Sequence, residues 1–345
     1  MPTLAGAKHA AGNTLGFKPL GQNRNPRRFC CVIEQRPPRR PSCRWHYESM
    51  HLDKTLRQQL AAQLFARVAG PEGTQRAQRI HFTPGPRWFA EDSAIRQVHG
   101  DASMFVGGLR ALLLQSLHPL AMAGVAGHSG FRGDPWGRLQ RTSHFLAVTT
   151  FGTAEDAQAM IERIRSIHER IRGVAPDGRQ YAASDPHLLS WVHLAEVDSF
   201  LSAHQRYGAH PLDTYGQDRY VSETARIARA LGVIDPPTSV AGLQSQLADF
   251  RPELAGTPEA RDAARFMLLQ PPLPLLARGP YGLLAAAAVA LLPRWARRPL
   301  GLPYLPVAEQ TVVRLAGEGV VRTIRWAMTG RPADAGRTTE STSAA

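Results

Sequence analysis

The chain of 345 residues carries 41 Lys and Arg against 28 Asp and Glu, a net charge of +13, with 43% hydrophobic residues and three cysteines. That apolar content supports a sizeable core and excludes a chain disordered throughout. Because Cys30, Cys31 and Cys43 all fall near the N-terminus, the rest of the chain holds neither a disulfide nor a thiolate metal site.

Residues 1–49 hold nine basic side chains against two acidic ones, Glu34 and Glu48, a surplus of seven. No apolar run follows the twin arginine Arg27-Arg28, so the segment is not read as a signal peptide, and the expected location is cytoplasmic. The cysteines lack a second Cys/His pair at zinc spacing and read as incidental. The expectation is a disordered, basic, Arg/Pro-rich extension, with Met50, where periodic sequence begins, as a candidate true start. A specific nucleic-acid role is not expected, because this charge is detached from the periodic body. The folded domain is expected over 50–330, followed by a disordered tail at 331–345.

From about 90 to 330 the apolar spacing is mostly three and four, which predicts an all-α body; with the candidate chemistry below, the expectation is a single globular helical domain, globin-like in style, with a buried cofactor pocket. "MFVGGLRALLLQSLHPL" reads as a buried helix closed by Pro119. Asp134 followed by Pro135 predicts the next helix start, with the helix running toward Gly152. Thr153 with Asp156 three residues on predicts a capped helix ending at Gly173. "SDPHLLSWVHLAEVDSFLSAH" predicts a fourth, capped by Ser184 or Asp185. The proline-richer stretch 235–262 reads as a loop or packed insertion. "YGLLAAAAVALL", 281–292, is too short to span a bilayer, which leaves a buried helix or a peripheral membrane contact.

Two of these helices carry candidate chemistry. In "GRLQRTSHF", Arg138, Arg141, Thr142 and Phe145 fall at i, i+3, i+4 and i+7. Paired guanidiniums beside a threonine and an aromatic suit an anionic group such as a propionate; a solvated face with Arg132 and Asp134 as ion partners is the alternative. On the following helix, Ala157, Ile161, Ile164 and Ile171 form an apolar stripe, and His168 fills its gap. A histidine there is desolvated and neutral, either a core residue bonded to a carbonyl or a metal ligand. His128, His144, His187 and His193 compete for the ligand role. No H-E-x-x-H, paired Glu-x-x-His, nucleophile elbow or phosphate loop is present. A proximal imidazole, apolar walls and cations for the propionates are what a haem needs, and antiparallel packing of the two helices would bring them to one cavity.

"LLLQSLHPLAMAGVAGHSGFRGDPWGRLQRTSHFLAVTTFGT" and "IRSIHERIRGVAPDGRQYAASDPHLLSWVHLAEVDSFLSAHQRYG" resemble the family of the latex-clearing protein (rubber oxygenase) and the mpaB oxygenase, from about 85 to 310. The resemblance implies an all-α fold with one haem b and dioxygen-dependent attack on an isoprenoid or lipid-like substrate. It also implies His168 as proximal iron ligand and Arg138 and Thr142 in the haem pocket, with Arg141 where the rubber enzymes have a distal lysine. Arg141 is a departure, because arginine stays protonated and ligates iron poorly. No Asp or Glu lies between Asp101 and Asp134 to match the distal glutamate of those enzymes. The expected catalytic residues are therefore Arg138, Arg141 and Thr142, in a haem oxygenase taking a hydrophobic substrate and dioxygen. The alternative is a non-catalytic carrier of haem or lipid with the same fold.

Overall fold

A computed structural model describes residues 57–128 and 133–328. The expected extension at 1–49 with its cysteines, the tail at 331–345, and Arg132 lie outside the described residues. In chain order the body comprises α1 (57–69), α2 (Gly73–Phe82), α3 (Ala94–His99), α4 (Met104–Gln115), α5 (Pro119–His128), α6 (Pro135–Phe151) and α7 (Ala154–Arg170). A two-stranded antiparallel hairpin follows, β1 (Arg172–Val174) and β2 (Gln180–Ala182), with Gly173 opposite Tyr181. Then come α8 (Pro186–Tyr207), α9 (Thr214–Leu231), α10 (Val240–Asp249), a 3-10 turn (Arg251–Glu253), α11 (Pro258–Leu269) and α12 (Leu275–Leu291). The short α13 (Arg294–Arg297) precedes a last helix in three parts: α14 (Pro306–Ala308), a π-helical turn (Glu309–Val313) and α15 (Arg314–Met328).

The helix starts follow from their capping residues. Asp134 accepts from Gly137 N, Thr153 from Asp156 N and Asp185 from His187 N, each filling a backbone donor that the first turn leaves open. Three expectations need correcting. Helix α4 already ends at Gln115, and Pro119, expected to close it, instead opens α5, because proline at the first helical position gives up only a donor that has no partner there. The helix carrying His168 stops at Arg170, and residues 172–174 pair with 180–182 around Gly178, whose φ of +85° favours glycine. The stretch 235–262 contains α10, capped by Ser239 and held by Leu243 and Leu247, both buried. The body is therefore mostly helical with one small sheet.

The centre is α8 packed along α4, with Trp191, Leu194, Leu113 and Leu114 fully buried. Gly107 permits the approach, since a Cβ there would lie 2.8 Å from Phe200 Cδ1. Across this seam runs a buried ion pair, Arg110 Nη2 to Asp198 Oδ2 at 2.6 Å. Arg110 also donates to Ser199 Oγ at 2.7 Å and to the Leu291 carbonyl at 3.0 Å, while Gln244 donates to Asp198 Oδ1 at 2.7 Å. Every strong polar group of the pair is thus bonded, which is what a charge away from water requires.

Among the described residues no single helix is long and apolar enough to cross a membrane; α4 and α5 reach that composition only together, across a bend of 106°. Within 281–292, Leu284, Ala285, Ala287 and Ala288 are buried, as in a core helix. Exposed apolar residues instead precede it, with Leu269, Leu275 and Leu276 at 74%, 79% and 95%.

Candidate functional site

Helices α6 and α7 meet at Gly152–Thr153, a turn short enough to lay them side by side. Arg138 lies fourteen residues before Gly152 and His168 fifteen after Thr153, so both fall at the end of the hairpin remote from the turn. The arginine motif grades from solvent into the body. Arg141 and Thr142 are exposed, and Arg141 Nη1 donates to Asp134 Oδ2 at 3.2 Å, so the ion partner expected on a solvated face is present. Arg138 is partly buried, and burial followed by repulsion from Arg141 holds its guanidinium below the usual arginine range. Phe145 packs against the main core.

His168 is partly buried, and burial alone lowers its pKa, so the ring is neutral at pH 7. Its Nδ1 is enclosed and makes no hydrogen bond among the described residues. An unbonded ring nitrogen inside the fold leaves the imidazole open to a partner that the described residues do not supply.

A second set of interior groups joins His193, one of the competing ligands expected from sequence, to Glu196 and His99, which sequence reasoning missed. His193 and Glu196, three apart on α8, share a face of that helix. His193 Nε2 is buried without a partner, and burial followed by the charge of Arg229 pushes its pKa down to about 4. Burial pushes Glu196 up to about 7, so the carboxyl changes charge near neutrality. Nearby on α3, His99 hydrogen-bonds Thr150 Oγ1 at 2.8 Å and Tyr220 Oη at 3.3 Å, and burial takes it down to about 3. The i, i+3 spacing of His193 and Glu196 in "WVHLAE" was the available signal.

A third cluster gathers His118, His187 and Glu253, whose ligand atoms all lie within 4.8 Å of one another. His118 is the last of three residues between α4 and α5, His187 lies in the first turn of α8, and Glu253 ends the 3-10 turn. Glu253 Oε2 is 2.9 Å from His187 Nε2 and 3.4 Å from His118 Nε2. This group could hold a metal ion. Its members come from three distant segments with no spacing motif, so only the fold brings them together.

Comparison with known proteins bears on all three sets. The chain is 31% identical over 111 residues to the uncharacterised proteins Rv2237 of Mycobacterium tuberculosis and Mb2261 of Mycobacterium bovis. Each match covers 31% of this chain and 43% of the relative, so the chain spans less than half the length of these relatives. No solved structure matches it. Residues 96–326, which run from α3 to α15 and include the α6–α7 hairpin and the interior groups of α8, match the catalytic domain described as ER-bound oxygenase mpaB/B'/rubber oxygenase. The chain belongs to the family of the mpaB and rubber oxygenases.

Proposed function

We propose that the protein is a haem b-dependent oxygenase acting on a hydrophobic, isoprenoid or lipid-like substrate with dioxygen. Family membership supports an oxygenase with a hydrophobic substrate. The observation that carries the haem reading is the enclosed, unpartnered Nδ1 of a neutral His168 at the same end of the hairpin as Arg138. These residues fit the group: His168 would hold the iron, and Arg138, partly desolvated, would offer a cation to a propionate. A bound haem would supply the iron that binds and activates dioxygen. Thr142 offers a hydroxyl donor and Arg141 a second cation one turn on, at the solvent edge. A guanidinium only donates hydrogen bonds, so the role of Arg141 there is to hold an anion or a polar oxygen.

Glu196 supplies the interior with a carboxyl poised near neutral pH, able to hold or release a proton where water is scarce. The exposed Leu269, Leu275 and Leu276 offer a place for peripheral membrane contact, through which a lipid-like substrate would arrive.

The test is the absorption spectrum of protein reconstituted with haem b. A Soret band that is lost in His168→Ala and kept in His193→Ala supports the assignment. Protein that stays colourless after reconstitution overturns it. Dioxygen uptake with isoprenoid substrates then separates an oxygenase from a carrier, which would bind haem and consume none.

A further inference from the structure

We propose that His118, His187 and Glu253 form a binding site for a first-row divalent cation of the zinc class, separate from the α6–α7 hairpin. The donor set is two imidazoles and one carboxylate, the mixed nitrogen and oxygen set that Zn²⁺ accepts. Ligands about 2.0–2.1 Å from a tetrahedral Zn²⁺ lie roughly 3.3 Å from one another. Two edges of that figure already exist, at 2.9 Å and 3.4 Å, and the third is no longer than 4.8 Å. Small side-chain rotations therefore close the site.

The second, independent observation is His118 itself. Its side chain is 1% exposed, and its Nε2 is buried with no hydrogen bond, although the Glu253 carboxylate lies 3.4 Å away. A buried polar atom left this way is costly, and a cation between the imidazole and the carboxylate would satisfy it. The rings are already held: His187 stacks on Phe250 with centroids 4.5 Å apart, and His118 packs edge-on to Phe250 at 6.2 Å and beside Trp191 at 6.3 Å. That fixes ligand orientation before the ion arrives. His187 and Glu253 are 53% and 39% exposed, so the ion has an entry path and a solvent-facing fourth position.

The surroundings supply one cation, Arg179, and its charge is met by Asp177 at 2.7 Å. Ala121 N approaches His118 Nδ1 at 3.5 Å, at the outer limit of a hydrogen bond. Without metal, the His187–Glu253 hydrogen bond straps α8 to the 3-10 turn, and His118 Nε2 stays unbonded beside it. The proposal is that a cation replaces that strap, and it needs no haem.

The test uses the full chain carrying Cys30→Ser, Cys31→Ser and Cys43→Ser, stripped with a chelator and titrated with Zn²⁺ by calorimetry. One ion per chain is expected, with a rise in the thermal midpoint when it binds. His187→Ala and Glu253→Gln, both at partly exposed positions, are expected to weaken binding roughly tenfold or more. Circular dichroism of these variants should match the parent, and so should their response to haem. Binding that is absent, or unchanged in both variants, overturns the metal site and leaves the hydrogen-bonded strap. A Soret band that survives in Glu253→Gln keeps this result distinct from the haem assignment.

Discussion

Arg110 and Asp198 set the energetics of the α4–α8 seam, because each is almost fully buried and has the other as its counter-charge. Replacing Arg110 with Met leaves Asp198 with Gln244 as its remaining side-chain partner. The expected cost is about 3–5 kcal/mol in chemical denaturation, and pairing Arg110→Met with Asp198→Leu should recover part of it. Glu196 behaves differently, since among the described residues it has no counter-charge. Its folded pKa of about 7 lies above the ordinary 4.5, so between those values the folded chain keeps a proton that the unfolded chain has released. Its contribution to stability is therefore intact below pH 4.5 and lost as pH rises toward 7. His99 and His193, held neutral, act in the opposite sense as pH falls below 6.5, so the informative quantity is the difference from Glu196→Gln. That variant should gain on the wild type between pH 5 and 8 by at most about 3 kcal/mol, and equal slopes for the two proteins would show that Glu196 is solvated.

At the scale of elements, the cap of α7 is the most economical point to perturb. Thr153 Oγ1 accepts from Asp156 N at 3.1 Å and donates to Asp156 Oδ2 at 2.9 Å, a reciprocal pair at the turn that sets the α6–α7 hairpin. Thr153→Ala should cost about 1 kcal/mol, and if the hairpin end carries haem, the variant should also bind it more weakly. The caps at Asp134, Thr153 and Asp185 were legible from sequence because each is a local event within three residues. The β-hairpin was legible in principle from "PDG", a turn signal overridden by the apolar stripe running on to Ile171. His168 showed itself through helical spacing, which survives without tertiary information. Nothing in the spacing of His118, His187 and Glu253 could show their convergence, since 66 residues separate the last two. Glu196 was hidden for another reason: a carboxylate in a mixed helix reads as solvent-facing until its surroundings are known.

Across the whole molecule, the last helix closes the structure. Arg325 on α15 binds both oxygens of Asp101 at 2.9 Å and the Tyr207 carbonyl at 2.7 Å, joining the loop before α4 to the end of α8. Arg325→Ala leaves a carboxylate that is only 8% exposed without its cation. A loss of about 3 kcal/mol is expected, together with faster amide exchange along α15 than along α4; exchange that remains uniform would mean α15 is held by its apolar face alone. The clamp also orders events during synthesis. Asp101 leaves the ribosome 224 residues ahead of the arginine that neutralises it, and Arg110 leaves 88 residues ahead of Asp198. For most of translation, then, the first half of the body is a set of helices with unmatched charges on surfaces that will become interior. Such a nascent chain depends on its late residues to fold, and truncations that spare every site residue but remove α15 should accumulate as chaperone-bound or aggregated protein.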